Sequence, residues 1–275
     1  MKTGKDTIVE NLFNELCSLE QVEALALGGS RAGEYFDEAS DYDVYLYCTG
    51  SVPEAVRQEI LSHYCSVMEI GNQYWETEDN CRLTSGVDID ILYRGLDDFT
   101  AGIAAVVEAF EAHNGYTTCM WHNLLTCKIL YDRDGRLGEM KKRFSVPYPE
   151  RLKENIICRN WNLVHAAMPA YDGQIKKAVG RGDIISVNHR TAAFLESYFD
   201  ILFALNGVTH PGEKRMIQMC LERCSLLPER FEENLQRLLH DLYTAPQRTA
   251  EDLESIVAAL EKILNESEVV LLHIR

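Results

Sequence analysis

The sequence predicts an α+β fold in two domains, with a sheet and flanking helices over residues 1–146 and a helical bundle over 147–275. At 275 residues, the chain reaches the length of about 250–300 residues at which single hydrophobic cores usually stop growing. Its first half alternates short β-rich runs with helical patterns, as α+β domains do. After Pro147-Tyr148-Pro149 the patterns are helical, and this proline pair marks the domain boundary because each proline favours extended backbone before it.

The elements of the first domain follow from the spacing of apolar residues, which is two in strands and about 3.6 in helices. Pro53 suits the first turn of a helix, where its missing N–H is not needed. In chain order, the predicted elements are a helix over 6–19, strands over 22–27 and 42–48, a helix over 53–64, strands over 67–70 and 87–93, a helix over 95–113 and a weaker strand over 127–131.

The second domain is predicted to be a bundle of helices. The segment 184–205 carries apolar and aromatic residues at helical spacing, which indicates core packing. The predicted helices cover 150–168, 184–205, 213–224, 229–242 and 250–264.

Composition and charge exclude several classes of function. Acidic residues number 43 and basic residues 27, which gives a net charge of −16 and a surface that repels a nucleic-acid backbone. No apolar stretch approaches the roughly 20 residues that span a bilayer, and the first twenty residues lack a signal-peptide pattern. The nine cysteines have no paired spacing and fit free thiols in a reducing compartment. We therefore expect a soluble cytoplasmic protein with no membrane or long nucleic-acid partner.

Paired aspartates stand on two predicted strands that are otherwise apolar. Asp41 and Asp43 lie at the head of one strand, and Asp88 and Asp90 lie on the other. The period of two puts each pair on one face of its strand. Neighbouring carboxylates repel each other, and Mg²⁺ relieves the repulsion because it binds carboxylate oxygens together with substrate phosphates. One pair alone fits a solvated strand end equally well, but the two pairs together predict a metal site.

The turn Gly28-Gly29-Ser30 directly follows the strand over 22–27. A glycine pair lets the backbone come close to a ligand, and N–H groups at the start of a helix bind phosphate oxygens. The Ser30 hydroxyl adds a donor. By itself this pattern is more often an ordinary turn, but next to the aspartate strands it predicts a phosphate-binding turn.

These motifs together resemble the signature of the DNA polymerase β-like nucleotidyltransferase superfamily. The resemblance in motifs runs over residues 26–94. The size of the chain, its acidic charge and its helical second domain resemble those of small-molecule enzymes, such as the aminoglycoside and lincosamide nucleotidyltransferases, and of related uncharacterised bacterial proteins. It implies a mixed sheet in the first domain and transfer of a nucleoside monophosphate. The residues that match are Gly29, Ser30, Asp41, Asp43 and one later acid.

The resemblance implies that Asp41, Asp43 and a third carboxylate hold two Mg²⁺ ions on the triphosphate of a nucleotide, with ATP as the expected nucleotide. Either Asp88 or Asp90 is the third acid. Asp90 is preferred because it precedes Ile91-Leu92-Tyr93-Arg94, as the catalytic acid does in similar proteins. Asp88 is then expected to contact the acceptor. The expected acceptor is a small hydroxylated molecule, and cationic, aminoglycoside-like compounds belong to this class.

Five further residues are secondary candidates. Arg31, next to the serine, is either a phosphate ligand or a solvated side chain, and Lys214 has the same two interpretations at the start of a later helix. Glu69, Trp75 and Glu76 lie between the aspartate strands, where they could line an acceptor pocket with an aromatic wall and negative charge. An ordinary hairpin with exposed acids explains these three equally simply.

Two other functions remain open. One is transfer of a nucleotide to a protein (AMPylation), and the other is a nucleotide-binding regulator without catalysis. The presence of all the acid positions favours an enzyme over a regulator. The sequence leaves the acceptor, the base of the nucleotide and the oligomeric state open.

Overall fold

The computed structural model describes residues 4–32, 40–74 and 76–267, with the side chains of all but residues 4–6 and Ser30. The chain forms two compact units. The first comprises Met1–Ala104 and Asn123–Ser145, and the second comprises Ala105–His122 and Val146–Arg275. Residues 105–122, which the sequence analysis placed in the first domain, therefore belong to the second unit.

The first unit is built on a six-stranded mixed sheet. Its strands are β1 (Val22–Leu27), β2 (Tyr42–Cys48), β3 (Cys65–Asn72), β4 (Thr77–Leu83), β5 (Asp88–Gly95) and β6 (Lys128–Asp132). They lie in the order β3-β4-β5-β2-β1-β6. β2 and β5 run parallel, whereas the other neighbouring strands pair antiparallel. The sheet with its helices confirms the predicted α+β class.

Helices flank the sheet, and one of its faces forms the core of the first unit. Val44 on β2 and Ile89 and Ile91 on β5 are fully buried in this core, so the intervening residues of both strands face the other side. The described helices up to residue 145 are α1 (Gly4–Cys17), α2 (Gly29–Ala32), α3 (Glu54–Ser62), α4 (Leu96–Val107), α5 (Cys119–Thr126) and α6 (Arg136–Phe144). Leu16 on α1 and Leu61 on α3 join the same core.

The second unit is helical, as predicted. The longest helix, α9, begins after Asp183, whose side chain accepts a hydrogen bond from the Ser186 N–H, and buries Phe194, Tyr198 and Phe199 against its neighbours. The helices are α7 (Glu150–Trp161), which continues as a π-helical turn over Asn162–Ala166, α8 (Tyr171–Gly180), α9 (Ile184–Leu205), α10 (Met216–Arg223), α11 (Phe231–Thr244) and α12 (Thr249–Glu266). Within the described part of the chain, no helix is long and apolar enough to cross a membrane.

Strand β4 is absent from the sequence prediction, and its composition explains why. Its inward positions are Asp79, Cys81 and Leu83, and Asp79 is fully buried. The Asp79 carboxylate accepts hydrogen bonds from Arg57 (2.5 Å), the Gly71 N–H (2.8 Å) and the Tyr93 hydroxyl (2.8 Å). A carboxylate with this many hydrogen-bond partners can be buried in the core. In the sequence, however, the aspartate interrupts the alternation of apolar residues by which a strand is predicted.

Candidate active site

Two aspartates lie side by side on the polar face of the sheet. The parallel pairing of β2 and β5 puts Asp43 directly opposite Asp90, and paired residues on neighbouring strands point to the same face about 4.8 Å apart. Both side chains are partly exposed, while Val44, Ile89 and Ile91 are buried on the opposite face. The period of two therefore separates the carboxylates from the core, as the sequence predicted.

The predicted glycine turn lies against one of these aspartates. The Gly28 N–H donates to the Asp43 carbonyl oxygen at 2.8 Å. Gly29 has a φ of +55°, and a Cβ added to it would lie 1.7 Å from Asp43 Oδ2. Only glycine leaves that space for the carboxylate and adopts this backbone conformation easily. The turn and Asp43 thus form one local structure.

Asp90 is held from its other side by β4. Asn80 lies opposite Asp90 in the antiparallel pair, and its Nδ2 donates to Asp90 Oδ1 at 2.8 Å. Glu78, two residues earlier on β4, faces the same side. Burial and the nearby Asp90 carboxylate raise the pKa of Glu78, although a hydrogen bond from Asn80 partly opposes the rise. Asn80 and Glu78 were not predicted, and the polar alternation of Glu76, Glu78 and Asn80 was the available signal.

Asp41 and Asp88 lie at the margins of this site. Asp41 precedes the first residue of β2 and is exposed. Asp88 forms an ion pair with Arg82 across β4 and β5 at 2.7 Å, and this hydrogen bond lowers the pKa of Asp88. Asp88 is thus bound to an exposed arginine, whereas Asp90 lies next to Asp43.

Arg31 is engaged by the start of β2. Its Nε donates to the carbonyl oxygens of Ser40 (2.7 Å) and Asp41 (3.2 Å), and its guanidinium lies 3.8 Å from the centre of the Tyr42 ring. These contacts join α2 to the strand that carries Asp43. A role for Arg31 in nucleotide binding stays a prediction.

The remaining predicted site residues lie in environments that differ from one another. Glu76 is bound by both ends of the Arg94 guanidinium, at 2.6 and 2.7 Å, so its charge is compensated. Glu69 is exposed on β3, and Lys214 is exposed in the turn before α10 of the second unit. Trp75 and the side chain of Ser30 lie outside the described part of the molecule.

The paired carboxylates fit a magnesium ion. Mg²⁺ is usually held by one or two carboxylates and completes its six ligands with substrate phosphates and water. Asp43 and Asp90 supply two such carboxylates on adjacent strands. Among residues 4–32, 40–74 and 76–267, no group of three or more His, Cys, Asp or Glu side chains is arranged to hold a metal ion.

Comparisons with solved structures find proteins described as nucleotidyltransferases or similar to them. Over 96% of its length, the chain is similar to a nucleotidyltransferase-like protein from Exiguobacterium sibiricum 255-15, with 10% identity, a TM-score of 0.45 and 75% of that chain covered. It is also similar to an aminoglycoside 6-adenyltransferase from Bacillus subtilis, with 11% identity, a TM-score of 0.28 and 98% of each chain covered.

Sequence comparison adds one family. A domain of unknown function, DUF4037, matches residues 116–216, a stretch that contains neither Gly29 nor the paired aspartates. No curated protein matches the chain.

Proposed function

We propose that this protein is a Mg²⁺-dependent nucleotidyltransferase that moves a nucleoside monophosphate from a nucleoside triphosphate, expected to be ATP, to a hydroxyl of a small molecule. The observation that carries the proposal is the position of Asp43. Its carboxylate fills the space over Gly29, and it lies opposite Asp90 on the neighbouring strand. The turn that we propose approaches phosphates and the carboxylates that we propose bind magnesium therefore lie side by side.

The proposed reaction is an in-line displacement at the α-phosphorus. When bound, two Mg²⁺ ions held by the paired Asp43 and Asp90, with Asp41 just before the same strand as the further carboxylate that the resemblance implies, would neutralise charge on the attacking and leaving oxygens. The acceptor oxygen bonds to the α-phosphorus while the bond from that phosphorus to its bridging oxygen breaks, and pyrophosphate leaves. Asp90 takes the proton of the acceptor hydroxyl. The backbone at Gly29 and the hydroxyl of Ser30 bind the departing pyrophosphate.

The charge of the site supports a cationic acceptor. Glu78 lies beside Asp90, and Glu69 is exposed on β3 near the same row of polar residues. The whole chain carries a net charge of −16, which raises the local concentration of cations. Glu76 contributes less to this charge because Arg94 neutralises it. Aminoglycoside-like polyamines with free hydroxyls are the first class of acceptor to test.

Two assays test the proposal. Thermal unfolding with each nucleoside triphosphate, with and without Mg²⁺, identifies the nucleotide, since a ligand at 100 times its dissociation constant stabilises the folded state by about 2.7 kcal/mol. Pyrophosphate release is then measured with a panel of aminoglycosides and other polyols. Acceptor-dependent release supports the proposal. Stabilisation without release from any acceptor would favour a regulator, and label transferred only to proteins would favour AMPylation.

A further inference from the structure

A chain of hydrogen bonds crosses the polar face of the sheet and ends on Asp90. Asn72 on β3 donates through Nδ2 to Glu69 Oε2 (3.4 Å) and to Asn80 Oδ1 (2.6 Å). Asn80 on β4 donates through Nδ2 to Asp90 Oδ1 (2.8 Å). Three neighbouring strands thus connect an edge-strand carboxylate to the aspartate opposite Asp43.

The direction of every bond in this chain is fixed by its two ends. An ionised carboxylate only accepts hydrogen bonds, whereas an amide offers two N–H donors on one side and an oxygen on the other. Asn80 must therefore turn its nitrogen to Asp90 and its oxygen to Asn72. Asn72 must then present its nitrogen both to Asn80 and to Glu69. A flipped Asn80 amide would place its oxygen against the Asp90 carboxylate, which is repulsive.

The chain lies beside a second acid. Burial and the nearby Asp90 charge raise the pKa of Glu78, and Asn80 partly opposes the rise. Because Asn80 occupies Oδ1 of Asp90, the orientation of the carboxylate is fixed and Oδ2 is left to other ligands. Groups that orient metal-binding carboxylates in this way typically change metal affinity 10–100-fold when they are removed.

We infer that Asn80 is a positioning residue that orients Asp90 for the metal, and that Asn72 fixes the orientation of Asn80. This inference rests on the proposed function, because that function makes Asp90 a metal ligand. Neither asparagine touches the reacting atoms. Their role is to hold one carboxylate oxygen so that the other meets the ion in a single geometry.

The test measures binding of Mn²⁺, as a probe for Mg²⁺, by electron paramagnetic resonance in the presence of a non-hydrolysable ATP analogue. The variants are Asn80→Leu, which keeps the branched shape of the side chain but removes its donors, Asn72→Leu, and the control Thr77→Ala on the same strand as Asn80. We expect the dissociation constant for Mn²⁺ to rise 10–100-fold in Asn80→Leu, less in Asn72→Leu, and to stay within twofold in Thr77→Ala.

The outcomes separate this inference from the proposed function. If the wild type binds Mn²⁺ and Asn80→Leu binds it within twofold of the wild type, the inference is wrong while the metal site stands. Absence of Mn²⁺ binding by the wild type overturns both. If circular dichroism shows that Asn80→Leu does not fold, Asn72→Leu decides, since it leaves Asn80 in place without its orienting donor. Unchanged Mn²⁺ affinity in a folded Asn72→Leu then contradicts the inference.

Discussion

At the scale of single residues, the close approach of Gly29 to Asp43 is the most demanding feature of the site. Replacement of Gly29 by alanine would put a methyl carbon 1.7 Å from the present position of Asp43 Oδ2, so the carboxylate must move. A displacement of about 1 Å in a catalytic group can lower the rate by about 100-fold. We therefore expect Gly29→Ala to lose at least about 100-fold in turnover, measured as pyrophosphate release.

Gly86→Ala is the matched control for this prediction. Gly86 also has a positive φ, +88°, but an added Cβ would meet no atom within 4 Å. Both variants share the backbone strain of a left-handed alanine, of about 1–2 kcal/mol, and only Gly29→Ala carries the clash. Equal activity in the two variants would mean that the turn has no part in catalysis.

The two aspartates of β5 give a second prediction. Asp90 lies opposite Asp43, whereas Asp88 is bound to the exposed Arg82. At saturating nucleotide, Asp90→Asn should lose turnover by orders of magnitude because one magnesium-binding charge is gone. Asp88→Asn should retain turnover and chiefly raise the KM of the acceptor. Steady-state kinetics of both variants measure the ranking, and the reverse order would move the catalytic role to Asp88.

At the scale of elements, Asp200 joins α9 to α7 and to the segment before α5, all within the second unit. Its carboxylate accepts hydrogen bonds from the Thr117 N–H (3.1 Å), the Thr117 hydroxyl (2.7 Å) and Asn160 Nδ2 (3.1 Å). Burial raises the pKa of Asp200 to about 7, although these hydrogen bonds oppose the rise. The folded state therefore binds this proton more tightly than the unfolded chain, in which an aspartate has a pKa of about 3.9.

This difference predicts a pH-dependent stability. Because the folded-state pKa is raised, the contribution of Asp200 is fully present below about pH 4 and is lost as the pH rises through about 7. The loss approaches about 1.4 kcal/mol per pH unit within this window. Asp200→Asn should remove this pH-dependent part of the free energy of unfolding. The difference in free energy of unfolding, wild type minus variant, should therefore fall between pH 5 and pH 8. Urea denaturation measures it, and a difference that is constant with pH would contradict the prediction.

The elements also show what a sequence can and cannot reveal. Strands β1 and β2 and helix α9 were predicted with their observed bounds, since apolar residues predominate in each of them. Strand β4 was missed because the buried Asp79 breaks that pattern, and its partners Arg57 and Tyr93 are distant in sequence. Helix α6 was missed because only three of its nine residues are buried.

The candidate site shows the same division. The carboxylates of Asp43 and Asp90 and the turn at Gly29 could be predicted because the period of two and the glycine pair are local signals. The position of Asp43 opposite Asp90 depends on the parallel pairing of β2 with β5. This pairing joins segments that are distant in the sequence, so local patterns do not predict it. The polar alternation of Glu78 and Asn80 was visible in the sequence, but their position beside Asp90 is known only from the pairing of β4 with β5.

At the scale of the whole molecule, charge limits what the protein can bind. A chain with a net charge of −16 repels a nucleoside triphosphate at long range. Binding then requires local compensation by divalent cations and backbone N–H groups. We therefore expect negligible nucleotide binding without Mg²⁺, and an acceptor that is neutral or cationic instead of anionic.

The most direct measurement follows the label from two forms of ATP into an acceptor that has been found to support pyrophosphate release. A nucleotidyltransferase transfers the α-phosphorus, whereas a kinase transfers the γ-phosphorus. With [α-³²P]ATP and Mg²⁺, the wild type should label the acceptor, while Asp43→Asn, which keeps the shape of the side chain but loses its charge, should not. Chelation of Mg²⁺ should abolish labelling as well. Label from [γ-³²P]ATP on the acceptor, or undiminished α-labelling by Asp43→Asn, would contradict the account.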